Sequence, residues 1–464
     1  MKPEDESSIL PLVRGAGPLY EMAHGATLVS LLRAGAVRQP GVGAGFTVCT
    51  GVAGRNGIAV NLKRRADYRE DRLPDQGDQR AMKDPISPDL RQKAEERLAE
   101  LSARIVSNLI MVGQIPAPTG EEEARGEYII ERIVELGLED VGRDATGNVY
   151  ARRPGTRGLN TIGLFAPLDT LFPAEVDHHL AMSSSRVTGP GVTNDSFAAS
   201  ALLSLAEFFE GWEYPLDNDL LFVWLTGCAD QADHEGMRYF LQGRHNRLAY
   251  ALMLESIELG RLSYFTVGCL RFDLTIQIPT DRAWGDLGVN SATNILADAV
   301  TLLLAIELPR RPKTVLNIGL LQGGEGHGVL STEASLGAEL RSESADVLAR
   351  VEREIDEIAG HLSSYYGCQV DLRKFGRRMP AGLRFNHPMV KTIKATMTDL
   401  GIAPSPGPDT AAASLAMAHA IPTTTLALTR GRRAGKESYI EIEPIPLGLL
   451  HVILVLHRLE EMLA

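Results

Sequence analysis

From residue 87 onward, short apolar runs of strand length alternate with longer stretches of helical periodicity, and that alternation restricts the chain to an α/β sheet. "SPDLRQKAEERLAELSARIVSNLIMVGQI" and "GEEEARGEYIIERIVELGL" space their apolar residues three and four apart, as helices with one buried face do. "NVYARRP", "TIGLFAP", "LLFVWLTG" and "YALMLES" are short, rich in apolar and aromatic residues, and bounded by turn formers, which marks them as strands. With helices on both faces of such a sheet, ligands are expected at the C-terminal ends of the strands.

Residues 264–375 interrupt this rhythm. "SYFTVGCLRFDLTIQIP" alternates like one strand with an exposed face, "NSATNILADAVTLLLAIEL" is a helix, "TVLNIGLLQGG" and "ASLGAELRSE" are strands, and "ADVLARVEREIDEIAGHLSSYYG" is a second helix. The helix "FNHPMVKTIKATMTDLG" and the strand "IPTTTLALTRG" then resume the first pattern. The organisation expected is an N-terminal extension and linker at 1–86, an α/β domain at 87–263 completed by 376–464, and an inserted α+β domain at 264–375. A chain of 464 residues exceeds what one hydrophobic core usually organises, which agrees with more than one domain. In the extension, "GPLYEMAHGATLVSLLRAGAV" reads as a helix and "GFTVCTGVAGRNGIAVNL" as two strands about a turn. This segment is either a docking element for a protein partner or an arm with little structure.

A net charge of −12 argues against nucleic acid or an anionic membrane as the main partner, since neither is attracted to an acidic surface. No apolar run approaches the roughly 18–20 residues that a membrane helix requires. The acidic start "MKPEDESSIL" is unlike a signal or transit peptide, and the expected location is the cytoplasm. Cys49, Cys228, Cys269 and Cys368 lie far apart with no C-x-x-C pair, so neither a zinc ribbon nor a disulfide framework is indicated.

Several stretches match one known family in order: "PTGEEEARGEYI", "GNVYARRPG", "LDTLFP", "VTGPGVTNDSFAASALLSLAEFF", "GMRYFL", "QGGEGHGVLSTEASLGAELRSE" and "AIPTTTLAL" followed by "SYIEIEPIPLGLL". From about residue 88 to the end the chain resembles the M20 metallopeptidases, a family of carboxypeptidases, aminoacylases and succinyl-diaminopimelate desuccinylase-like amidohydrolases. The resemblance implies a two-domain α/β fold, a mixed-sheet catalytic-type domain carrying an inserted α+β lid that dimerises. It also implies two zinc ions held by histidines and carboxylates, with a glutamate as general base.

Position by position, the residues required by that chemistry are replaced. Pro167 stands where the first histidine would be, and Asp169, which would orient that histidine, has lost its partner. Asn194 takes the place of the bridging aspartate, Cys228 that of the general base, and Ala229 that of the next metal-binding acid. Gly435 is the best match for the C-terminal histidine. Glu255 is the one acid of the set that is kept. In the lid, Arg282 stands where relatives carry a histidine, and Gly328 where they carry an asparagine. Gly323 and Gly324 are kept, and Arg341 matches an arginine that grips a substrate carboxylate in several relatives; it is therefore the candidate for ligand recognition, or an arginine paired with Glu339 or another acid at a strand end.

Loss of these donors together predicts no metal centre and no bound cofactor. The expected role is that of a catalytically inactive homologue, structural or regulatory, forming a homodimer through the lid. Two other functions stay open: a metal-dependent hydrolase with a rebuilt site that would hold zinc, and a binder of a small carboxylate. A shift of one residue would bring Asp195 and Asp230 into a cluster with Glu255, although on a regular strand such a slip reverses the face. Otherwise both acids are expected to face solvent or cap helices. His178 and His179 are expected at the surface of a polar loop. Cys228 is either a nucleophile or a buried thiol without chemistry.

Overall fold

Pro88 stands in the first turn of helix α1 (Pro88–Gln114), where its missing amide hydrogen removes no helical bond. The computed structural model describes residues 87–228, 233–243, 248–279, 290–408 and 411–463. The expectations placed on the first 86 residues, on Ala229, Asp230 and on Arg282 lie outside the described residues. After α1 come α2 (Glu123–Glu135), β1 (Glu139–Arg143), β2 (Val149–Arg153), β3 (Thr161–Pro167), β4 (Ala181–Met182), β5 (Arg186–Thr188), α3 (Phe197–Glu210), β6 (Asp219–Leu225), α4 (Glu235–Gln242) and β7 (Leu248–Ile257). The chain continues through β8 (Arg261–Phe265), β9 (Gly268–Gln277), α5 (Ala292–Leu304), β10 (Thr314–Gly323), β11 (Glu333–Ser342), α6 (Ala345–Tyr366) and β12 (Gln369–Arg378). It ends with α7 (Pro388–Asp399), β13 (Ser405–Pro408), α8 (Ala411–Ala418), β14 (Thr423–Thr429), β15 (Gly431–Arg432), β16 (Tyr439–Glu441) and α9 (Ile445–Leu463).

The main sheet has the order β1-β2-β6-β3-β7-β14. Strands β6, β3, β7 and β14 run parallel, and β2 is antiparallel to both β1 and β6. Strand β3 shows why the sequence folds this way. Ile162, Leu164 and Ala166 point into the core formed with α1, α3 and α9, while Phe165 points into a second core with Met237 and Phe240 of α4 and Ala413 of α8. Both faces are covered, so the central strands read as continuous apolar runs rather than as an alternation. Helix α9 lies so close to β14 that a Cβ on Gly448 would sit 1.7 Å from the Leu428 carbonyl oxygen.

The second sheet is antiparallel throughout, in the order β10-β11-β9-β12. Leu348, Val351, Ile355, Ile358 and Leu362 bury one stripe of α6, three or four residues apart. Its start is capped by the Ser344 side chain and its end by Gly367 at φ 58°, a left-handed position that glycine adopts without strain. Strand β10 is an edge and exposes Val315, Leu320 and Leu321.

The sequence expectation of one strand across "SYFTVGCLRFDLTIQIP" is corrected. The chain divides into β8 and β9 because its pairing partner changes: β8 runs parallel to β13, and β9 joins the antiparallel sheet. At the break Thr266 turns away to pair with Ala381, its amide donating to the carbonyl (2.7 Å) and its hydroxyl accepting the Ala381 amide (2.9 Å). Among the described residues, no helix is long and apolar enough to cross a membrane.

Candidate functional site

Strands β3, β6 and β7 end around a cavity of about 130 Å³. Its walls are apolar, from Phe165, Ala166, Leu225, Met253, Leu254 and Ala412, and Pro167 closes the end of β3. The polar groups facing it are Asp169, Asp195, Glu255, Cys228 and His234.

Asp169 follows β3 and is buried, accepting a hydrogen bond from Thr119 Oγ1 at 2.9 Å. Beneath it the wholly buried Arg125 donates to the carbonyls of Leu168 (2.9 Å) and Ile115 (2.6 Å). Burial lowers the Arg125 pKa to about 10, with Asp169 and Glu122 acting in the other direction. Glu122 in turn accepts the Gly227 amide at 2.9 Å and so fastens the end of β6. These two charged residues of "TGEEEARG" therefore set the positions of two strand ends.

Residues 192–196 lead into α3 with non-helical angles at Asn194 (φ −147°, ψ 74°) and Asp195 (φ −136°, ψ 40°), and the peptide between them is cis. Their side chains diverge. Asn194 Oδ1 accepts from Arg433, whereas the Asp195 carboxylate accepts from Ser256 Oγ at 3.3 Å. The expectation that Asp195 faces solvent or caps a helix is thus corrected: irregular backbone turns it into the cavity. Burial raises its pKa to about 7, with Glu255 and Asp169 adding to the shift and Arg433 opposing it.

Glu255, near the end of β7, is held by two arginines. Arg433 Nη2 donates to one oxygen at 2.7 Å and Arg261 Nη2 donates to the other. Glu258 is bound by the same pair, through Arg433 Nη1 at 3.2 Å and Arg261 Nη1 at 2.6 Å. The third Arg433 donor, Nε, reaches Asn194 Oδ1 at 2.8 Å. Burial nonetheless raises the Glu255 pKa against both guanidinium groups. Arg433 comes from the segment between β15 and β16, and at Gly431 that hairpin packs tightly: a Cβ there would lie 2.3 Å from the Tyr439 carbonyl oxygen across the hairpin and 2.8 Å from Ile257 Cγ2 of β7. Ser438 shapes the turn, accepting the Ala434 amide (2.9 Å) and donating to the Gly435 carbonyl (2.7 Å).

The Cys228 thiol is pushed well above its usual pKa by burial and by the nearby acids Asp169, Asp195 and Glu122. Burial lowers the His234 pKa to about 3, aided by Arg378, Arg238 and Arg271, and its Nδ1 has no hydrogen-bond partner among the described residues. Gly435, at φ 60°, belongs to the same loop as Arg433 but offers no side chain. Arg341 lies on β11, donates to Glu339 at 2.5 Å, and does not line the cavity; Gly323 ends β10 and Gly324 follows it. His178 is buried rather than at the surface, with Nε2 3.1 Å from the Pro173 carbonyl, while His179 is exposed. Among the described residues, no group of three or more His, Cys, Asp or Glu is arranged to hold a metal ion.

No protein-family model and no curated protein matches the chain. Solved structures do. Aminopeptidase PepT from Bacillus cereus superposes with a TM-score of 0.63 at 18% identity, covering 77% of this chain and 98% of that one. A tripeptidase from Staphylococcus aureus gives 0.64 at 18% identity, covering 76% and 97%. YxeP from Bacillus subtilis, a dinuclear metal-binding peptidase of the M20 family, gives 0.56 at 14% identity, covering 77% and 98%. The fold is that of the M20 peptidases.

Within this M20 peptidase fold, Pro167, Asp169, Cys228 and Glu255 face one cavity, while Asn194 does not line it and is bonded to Arg433, which also holds Glu255. Sequence reading missed Arg433, Arg261, Glu258, Glu122 and Arg125. The signal for the first was present, since Arg433 lies in "GRRAGKES", the stretch where a histidine was expected. An arginine has no lone pair for a metal, so a search for ligands passes over it.

Proposed function

We propose that this chain is a catalytically inactive M20-fold protein with a structural or regulatory role, as a subunit or partner in a larger assembly. The observation that carries this is the donor set at the strand ends. A pair of zinc ions needs lone pairs at fixed places. Pro167 and Gly435 supply none from their side chains, and Asn194 supplies only a neutral amide oxygen. Glu255 is already engaged by two guanidinium groups. The described residues therefore do not fit a dinuclear centre of the kind YxeP is named for. Metal analysis of the chain purified without chelator tests this, together with turnover assays on short peptides and N-acyl amino acids. Less than stoichiometric zinc and no turnover are expected; two tightly held ions with turnover would overturn the reading and favour a rebuilt hydrolase.

The assembly proposed is a homodimer through residues 264–375. Supporting it, β10 leaves its outer edge unpaired among the described residues and exposes Leu320 and Leu321, each 60% accessible, where an edge strand of a monomer would carry charge. Light scattering at micromolar concentration is expected to give twice the chain mass, and Leu320→Lys to reduce it.

A further inference from the structure

We infer that the Arg433 guanidinium acts as a built-in cation that ties together the segments around the cavity, so that folding of this region depends on an internal charge and on no metal ion. This inference rests on the proposal that the site is catalytically inactive. Its basis is the three-way contact. The planar fork of one side chain reaches Asn194 Oδ1 (2.8 Å), Glu255 Oε1 (2.7 Å) and Glu258 Oε1 (3.2 Å), and so joins the 430–438 loop to the start of α3 and the end of β7. Those segments come from three distant parts of the chain.

Charge balance supports the assignment. Glu255 and Glu258 are shared between Arg433 and Arg261, two anions against two cations. A guanidinium carries one positive charge and presents several fixed donors, matching acceptors at separate positions. With both arginines already balanced by the glutamates, a third carboxylate at 194 would add an uncompensated negative charge beside the half-buried Asp195. A neutral amide oxygen is the acceptor that completes the fork without doing so. Asn194 and Arg433 are therefore complementary choices: where a bridging aspartate suits a pair of dications, asparagine suits a single monovalent donor group.

Scanning calorimetry of the full chain tests the inference, with and without EDTA and with millimolar zinc added. The wild-type midpoint is expected to ignore both additions. Arg433→Met is expected to lower the midpoint by about 2–3 °C, the scale for losing charged hydrogen bonds from an exposed arginine to a buried glutamate in a chain of this size. The carboxylates it strands should then recruit the divalent cation, so that zinc raises the midpoint of this variant by about 1–2 °C. Arg433→Lys, which keeps the charge but not the fork, should lose part of the stability and remain indifferent to zinc. This second variant also serves if Arg433→Met does not fold. An Arg433→Met protein that melts with the wild type, or that loses stability yet ignores zinc, overturns the inference, as does a Lys variant that zinc stabilises. Those results leave the proposal of inactivity standing. Bound zinc with turnover in the wild type removes both.

Discussion

Replacing Asp195 by asparagine removes a carboxyl group whose folded-state pKa is about 7 against an ordinary 3.8. An acid raised in the folded state contributes stability that is fully present below its unfolded pKa and is lost as pH rises through the folded value. Its ionisation therefore weakens the native protein progressively from about pH 4 to about pH 7, and the loss is complete above that. Three pKa units correspond to about 4 kcal/mol; because the carboxyl faces a cavity that water can enter, the working range is about 2–4 kcal/mol. Asparagine retains an oxygen to accept from Ser256 and carries no charge at any pH. In urea titrations from pH 4.5 to 8.5, Asp195→Asn should be close to wild type at the acidic end, gain steadily, and level off above pH 7. A stability difference that is constant across the range would refute the buried-acid account, and an asparagine variant weaker than wild type at pH 8 would show that the carboxylate is held by more attraction than burial costs it.

Gly448→Ala drives a methyl group into the Leu428 carbonyl of β14, with no flexible side chain able to yield, and should destabilise by about 3 kcal/mol or more in chemical denaturation. Arg341→Ala breaks an exposed pair with Glu339, which Arg271 also holds at 2.9 Å, and should change stability by less than about 1 kcal/mol; if calorimetry detects an N-acyl amino acid bound to the wild type, the same substitution should weaken that binding at least tenfold. Cys228, with its thiol pKa raised, should react with iodoacetamide at pH 7.5 at least tenfold more slowly than free cysteine, as followed by mass spectrometry.

The amino-acid sequence by itself determined the layered α/β fold and the central strands β2, β3, β6, β7, β10, β11 and β14, though not β1, β12 or the break between β8 and β9, and it set the residue types that stand at Pro167, Asn194, Cys228 and Gly435. These are local facts: the periodicity of "SARIVSNLIMV" records which face is buried, and a proline lacks a lone pair in any surroundings. Three things were decided only by tertiary structure. Thr266 ends one strand because Ala381, more than a hundred residues away, offers a better pairing than continuing does. Asp195 becomes a half-buried acid lining the cavity because irregular backbone at 194 and 195 turns it there. Arg433 becomes the cation of the site because the 430–438 loop carries it to Asn194 and Glu255, which lie 239 and 178 residues earlier in the chain. In each case the side chain's role depends on the electrostatic and packing environment supplied by distant segments, and burial or exposure of a charge changes its energy by more than any local preference does.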